Sequence, residues 1–335
     1  MQTEIYTTPD AFDQLAGEWN ALLDTSTSKT LFLTNEWQKT WWRELGDGEL
    51  RVLAFREDDD KHLVGIAPLF FEETALGGVE VALVGCKEVS DYLDFIFSSG
   101  HEEACFRAVI DYLKSADAPQ WHTIGLCNIV ESSPTLSTFR DLLNAEGWNA
   151  VATFEDVCPI ISLPESFEAY LVTLDGKERR ELQRKLRRAS ENSAVTFTAS
   201  ADTLDKDVDD FLTLMKASMV SKSSFLTPRM ERFFRAATRT VFDAGWLQLA
   251  FLEVEGARAA AYLNFVYGDT VLVYNSGLDP QKFSYLSPGQ VLIAKLIEQA
   301  ITDKRRAFDF LQGNEDYKYK LGGKDVKLFT LSARK

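Results

Sequence analysis

The chain has few of the residues from which enzymes build nucleophiles and metal sites. Its three histidines, His62, His101 and His122, and its four cysteines, Cys86, Cys105, Cys127 and Cys158, all lie in the first half of 335 residues. The second half therefore has no material for a Ser-His or Cys-His pair, nor for a His/Cys metal site. No GxGxxG or GxxxxGK[ST] run occurs, which excludes the usual dinucleotide and P-loop signatures. No apolar stretch is long enough to cross a bilayer, and the opening MQTEIYTTPD lacks the basic and apolar parts of a secretory leader. A cytoplasmic chain is expected, with scattered, reduced and mostly buried cysteines.

What is present points to two domains. At 335 residues the chain is longer than a single core usually serves. The net charge of −15 is divided unevenly: residues 1–165 carry 10 Lys/Arg against 29 Asp/Glu, and residues 166–335 carry 26 against 22. So acidic a first half opposes nucleic acid, which excludes DNA and disfavours a tRNA partner, whereas the second half is equipped to hold an anion.

The two halves also share a plan. The stretch LRVLAFREDDDKHLVGIAPLFF parallels LQLAFLEVEGARAAAYLNFVYG, and AVIDYLKSADAPQWHTIGLCNI parallels KLIEQAITDKRRAFDFLQGN. Each pair reads as a strand–turn–strand or helix–strand unit repeated about 190 residues on, a period that suits repeated domains and not a solenoid. Pro159 to Pro164 marks the boundary, with no flexible linker.

Residues 274–324 read YNSGLDPQKFSYLSPGQVLIAKLIEQAITDKRRAFDFLQGNEDYKYKLGGK. A strand leads through a loop into a helix opening Ser287-Pro288-Gly289-Gln290, and a second strand, 307–311, ends in Gly313 and a Tyr/Lys loop. Such a corner sets unpaired helix N–H groups beside two strand ends, where a phosphate can sit. The same residues are also good structural parts. Ser287 is an N-cap, Pro288 suits the first helical position, and Ser287 with Gln290 spells a capping box.

The stretches GLDPQKFSYLSPGQVL and FDFLQGNEDYKYKLGG, with the upstream KERRELQRKLRRA helix, resemble the double-domain branch of the GNAT acyltransferase superfamily. That branch includes the CelD/BcsL-like acetyltransferases and the Fem-type aminoacyltransferases. The resemblance implies an α/β (α+β) fold of two tandem GNAT-like domains, each a mixed, mostly antiparallel sheet flanked by helices. The domains would be residues 1–163, degenerate and acidic, and residues 164–335, binding acyl-CoA. It implies N- or O-acyl transfer, acetyl first, from acetyl-CoA or another acyl-CoA to a small-molecule or carbohydrate-type acceptor, with no metal. Two other roles stay open: a Fem-type transferase using aminoacyl-tRNA, and a silent scaffold subunit among exopolysaccharide-synthesis proteins.

With no histidine or cysteine in the second half, proton chemistry there falls to Asp, Glu, Tyr, Lys or water. Direct transfer from a thioester suits that supply, since it needs positioning, a proton acceptor and donors to the carbonyl oxygen, without a covalent intermediate. The catalytic candidates are Tyr274 at a strand end, Asp309 within the apolar strand, Glu253 and Tyr317. Each also has a plain structural role available: packing for Tyr274, loop anchoring for Asp309, exposure for Glu253. The cofactor candidates are Arg180, Arg184 and Arg188 on one face of a helix, Asn275, Ser287, Gly289 and Gln290, and Lys318 in the closing loop. The arginine face serves equally as a solvated surface opposite a leucine stripe. In the first half Asp91, Tyr92 and Asp94 are candidates to meet the acceptor, and Trp19, Trp37, Trp41, Trp42, Trp121 and Trp148 are read as core or interdomain anchors.

Overall fold

The structure is a computed structural model, and it describes residues 1–335 apart from 60, 76, 87, 88, 191, 192 and 199. It contains two compact units, Met1–Asp156 with Val326–Lys335, and Val157–Asp325. The first boundary falls slightly before the expected 163/164, and the final strand belongs to the first unit instead of the second. Nothing local in a strand's sequence says which sheet it will join, because pairing is a long-range choice.

In the first unit the strands are β1 (Gln2–Tyr6), β2 (Glu49–Arg56), β3 (Leu63–Glu73), β4 (Val79–Leu83), β5 (Ile96–Phe97) and β6 (Thr123–Val130). They run β1-β2-β3-β4-β6, with β5 on β3, and the C-terminal strand Lys324–Arg334 lies antiparallel to β6. Among the described residues of this unit β4 and β6 form the one parallel pair, and the helix Glu102–Lys114 makes the crossover such a pair needs. The run LVGIAPLFF of β3 is buried throughout, as a strand covered on both faces must be. Trp19, Trp37 and Trp41 are fully buried in this unit. One expectation is corrected here. Cys86 and Cys127 are joined as a disulfide, their Cα atoms 5.8 Å apart, while Cys105 and Cys158 are buried outside it. Asp94, a candidate to meet the acceptor, is 3% exposed and accepts from Ser28, Ser133 and Thr135 hydroxyls and the Phe95 N–H.

The second unit contains the last residues of β7 (Asn149–Ser162), then β8 (Ser193–Phe197), β9 (Leu247–Val254), β10 (Ala257–Tyr267), β11 (Thr270–Leu278) and β12 (Ala307–Asp309), in the order β7-β12-β11-β10-β9-β8. Again one pair is parallel, β11 with β12, joined by the helix Pro288–Thr302. That helix is apolar nearly all round, with Val291, Leu292, Ile293, Ala294, Leu296 and Ile297 each fully buried, so it sits as a core element. Together with the basic helix Gly176–Ala189, docked through Leu182 and Ala189, it covers one face of the sheet against Ala250, Leu252, Tyr262 and Val273. Helices Ala201–Ser218 and Pro228–Asp243 cover the other. Gly277 allows the first of these to touch β11, since a Cβ there would lie 2.4 Å from the Met215 nitrogen. Among the described residues no helix is long and apolar enough to cross a membrane.

Candidate functional site

Strands β11 and β12 separate after three paired residues. Their register ends at Leu272↔Asp309, yet β11 continues to Leu278. Past that point the Phe310 N–H donates to the Pro159 carbonyl at 3.0 Å, which draws the chain toward β7. A bulge widens this fork. Leu263 pairs with Asn275 and Asn264 with Val273, so Tyr274 is an extra residue that raises the local twist. The bulge also resets the alternation, bringing Ser276 opposite Tyr262 on the face covered by the Pro288–Thr302 helix.

Two adjoining cavities open at the fork. The larger, about 480 Å³, is walled by Tyr262, Ser276, Leu278, Ser287, Gly289 and Tyr317. The other, about 270 Å³, is walled by Lys177, Glu181, Lys185, Gln290, Tyr317 and Lys320. Lys185, Gln290 and Tyr317 belong to both, so the two make one groove past the start of the Pro288–Thr302 helix. That helix has no acidic residue in its first turn. Lys185 donates to the Gln290 side-chain oxygen and lies 3.3 Å from Glu181. Arg184, then Lys185, holds the Glu181 carboxyl down at about 2. Burial, followed by the neighbouring Tyr317 and Glu315, raises the Tyr262 hydroxyl well above its ordinary value. Burial and then Glu315 do the same for Tyr317. Both phenols are therefore protonated donors at neutral pH.

Of the residues the sequence singled out, the fork brings together Ser287, Gly289, Gln290 and Tyr317. The expected capping box does not form. Ser287 adopts left-handed φ 54°, its side chain makes no cap bond, and its carbonyl instead accepts from Gln290 and Val291 N–H. Two arginines of the basic helix are engaged within the protein: Arg184 pairs with Glu181, a wall of the groove, at 2.6 Å, and Arg188 donates to the Tyr285 carbonyl at 2.6 Å. The groove takes Lys177 and Lys185 from that helix instead.

Tyr274 stacks on Phe265 and Phe234, on the face of the Pro228–Asp243 helix and away from Tyr262. Glu253 accepts from the Thr196 hydroxyl and lies 3.9 Å from Arg258, whose stronger partners are Asp207 and Asp210. Asp309 is 3% exposed and accepts from the Leu311 N–H at 2.7 Å, fixing a turn in which Leu311 has φ 55°. Lys318, also 3% exposed, donates to the Leu311, Gln312 and Gly313 carbonyls and pairs with Glu315 at 2.9 Å. Its ammonium is fully engaged in holding this loop together, so it is not placed as a ligand for a cofactor.

Sequence reasoning missed Lys222 and Ser276. The short helix Val220–Phe225 projects Lys222 to the end of β11, where its amine lies 3.0 Å from Asn275 Oδ1, 2.5 Å from the Ser276 carbonyl and 3.3 Å from Ser276 Oγ. Asn275, expected to hold cofactor, holds this lysine. A lone lysine in a weakly patterned stretch carries no signal of its own. The bulge that turns Ser276 toward the groove is invisible in the residue pattern.

Residues 176–319 match the family model of the acetyltransferase (GNAT) domain. No match was found among curated protein sequences. Among solved structures, FemX superposes with a TM-score of 0.68 at 12% identity, covering 98% of this chain and 97% of that one. L-PGS from Bacillus licheniformis gives 0.57 at 11%, covering 95% and 91%. A tandem GNAT protein from the clavulanic acid biosynthesis pathway gives 0.52 at 10%, covering 99% and 98%. The match to the GNAT domain thus falls within the second unit, and over its whole length the chain shares the fold of these structures.

Proposed function

We propose that the second unit binds acyl-CoA, acetyl-CoA in the first instance, along this groove. The acyl group passes to an amine or hydroxyl of a small-molecule or carbohydrate-type acceptor in the cytoplasm. The observation that carries the proposal is the forked parallel pair with an acid-free helix start beside it. An extended arm bearing amides pairs with the edge of β11 beyond Leu272 as an added strand does. Phosphates meet the N–H groups of the helix start and the Lys185 ammonium, and Lys177 and Lys320 offer charge to a further phosphate. Tyr262 and Tyr317 supply hydroxyl donors to the thioester oxygen as charge develops there. Transfer is direct: the acceptor's lone pair forms the new bond to the acyl carbon, the C–S bond breaks, and the thiolate takes a proton.

The FemX likeness favours a second reading, in which aminoacyl-tRNA is the donor. Thermal unfolding with acetyl-CoA, coenzyme A and aminoacyl-tRNA separates the two. A donor that binds only the native protein raises its stability by about 2.7 kcal/mol at a hundredfold excess over Kd. A shift with acetyl-CoA and coenzyme A is expected. A shift with aminoacyl-tRNA alone overturns the acyl-CoA reading.

A further inference from the structure

One residue of the groove wall is tied through its hydroxyl to a basic group. Ser276 lines the larger cavity, beside Tyr262, and its Oγ lies 3.3 Å from the Lys222 amine. That amine meets neutral oxygens of Asn275 and Ser276, with no carboxylate in ion-pair range among the described residues. The surrounding charges are few. Val220–Phe225 bears no other titratable group. The Ala201–Ser218 helix packed against it ends near Lys216, which is paired with Glu231 at 2.6 Å. Glu315 faces Lys222 from the loop after β12, with Tyr317 and Tyr262 beyond it. Burial lowers the lysine to about 8, against the opposing pull of Glu315. A sizeable share of the amine is thus neutral near physiological pH.

We propose that Ser276 and Lys222 form a proton relay for acyl transfer, in which the Ser276 hydroxyl takes the proton of the attacking acceptor and passes its own to the neutral amine of Lys222. Ser276 is the catalytic residue, since it faces the groove, and Lys222 acts through it. Resting on the acyl-CoA reading above, the step balances as follows. The bond from the acceptor nitrogen or oxygen to the acyl carbon forms and the C–S bond breaks. The acceptor's proton moves to Ser276 Oγ while the serine proton moves to Lys222. The resulting ammonium, held by the Ser276 carbonyl and Asn275, returns a proton to the departing thiolate as coenzyme A leaves. Ser276 and Lys222 end as they began. The competing role for Lys222 is a mechanical tie between its short helix and the end of β11.

The test uses the full chain with Lys222→Arg, Lys222→Met and Ser276→Ala. Lys222→Arg keeps a cation and donors but cannot accept a proton at these pH values. The readouts are acetyl-CoA affinity and the pH profile of thiol release from acetyl-CoA with water as acceptor. The extent of acetic anhydride labelling at Lys222 against pH, read by mass spectrometry, serves as a ligand-free measure. For the parent, kcat/KM should rise with pH to a plateau above about 8, and Lys222 should label with the same midpoint. General-base assistance is worth about a hundred- to ten-thousandfold, so each variant should lose at least about a hundredfold in release at unchanged acetyl-CoA affinity. Lys222→Arg should also lose the pH limb. Labelling of Lys222 like an ordinary lysine, or a parent-like rate and limb in Lys222→Arg, overturns the relay. So does a parent that binds acetyl-CoA yet releases no more thiol than Lys222→Met. Failure of the parent to bind acetyl-CoA overturns the donor assignment instead, while a labelling midpoint near 8 that moves in Ser276→Ala would still support the pair.

Discussion

Each unit contains the same parallel strand–helix–strand crossover, and the two differ most at the start of the helix. In the first unit the crossover helix opens with Glu102 and Glu103, and the Glu102 carboxylate already accepts from the Gly100 N–H at 2.8 Å. In the second the first turn is Pro288-Gly289-Gln290, free of acid, with Lys185 donating to Gln290. A carboxylate at a helix N-terminus satisfies the positive end that a phosphate would otherwise use. In the first copy a carboxylate thus takes up that positive end, and in the second no acidic residue of the first turn does. Overall charge runs the same way, −19 in residues 1–165 against +4 in residues 166–335. One backbone layout thus carries two chemically different helix starts.

The comparison breaks most visibly at Lys318. Lys318→Met strips three loop carbonyls and Glu315 of their donor and should destabilise the second unit by on the order of 3 kcal/mol. A melting temperature lower by roughly 5–10 °C is expected, with acetyl-CoA affinity kept by the folded fraction. Unchanged melting with lost affinity would return Lys318 to the role of a ligand group. Next comes Gly289→Asp, which gives the second unit an acidic turn like that of the first. A Cβ there already meets Leu278 at 3.3 Å. Calorimetry should find acetyl-CoA bound roughly ten- to a hundredfold more weakly, the equivalent of one lost charged hydrogen bond. Parent-like affinity would show that the helix start does not face the phosphates.

Smaller effects sharpen the contrast. Lys185→Ala should weaken acetyl-CoA by about tenfold, and raising salt should narrow the gap between variant and parent, because charge–charge attraction is screened. Ser287→Gly relieves a left-handed residue that makes no cap bond, and should stabilise the protein by about 1 kcal/mol. A fall in melting temperature would mean that the serine hydroxyl holds the turn after all. The smallest effect is expected in the first unit. Glu102→Gln with Glu103→Gln should leave acetyl-CoA stoichiometry at its parent value; a second binding event would show that acid alone had kept the first copy closed.

Much of the site's position was legible in the residues. Pro288 at a helix start, the preceding loop and the Tyr/Lys stretch after β12 marked the groove, because turn and helix-start chemistry is local. Tyr274 and Glu253 were legible only as residues at the ends of strands. Which sheet face the end of β11 takes depends on the bulge at Tyr274, since a one-residue slip moves every later side chain to the other side. Asp309 and Lys318 were misleading for a different reason. A buried charge reads alike whether it serves a ligand or the loop's own backbone; here Asp309 accepts from the Leu311 N–H, and Lys318 meets three loop carbonyls and the adjacent Glu315.

Period, charge and breakers by themselves determined that this chain is a pair of mixed α/β units with an acidic first half and an anion-tolerant second. Those properties are local or additive, and survive without knowing a single contact. Tertiary structure alone decided that the last strand joins the first unit and that β11 and β12 fork. It alone set Ser276 and Lys222 within 3.3 Å of each other across 54 residues of chain. Each of these is a meeting of distant segments, settled by strand register and packing, which no window along the sequence contains.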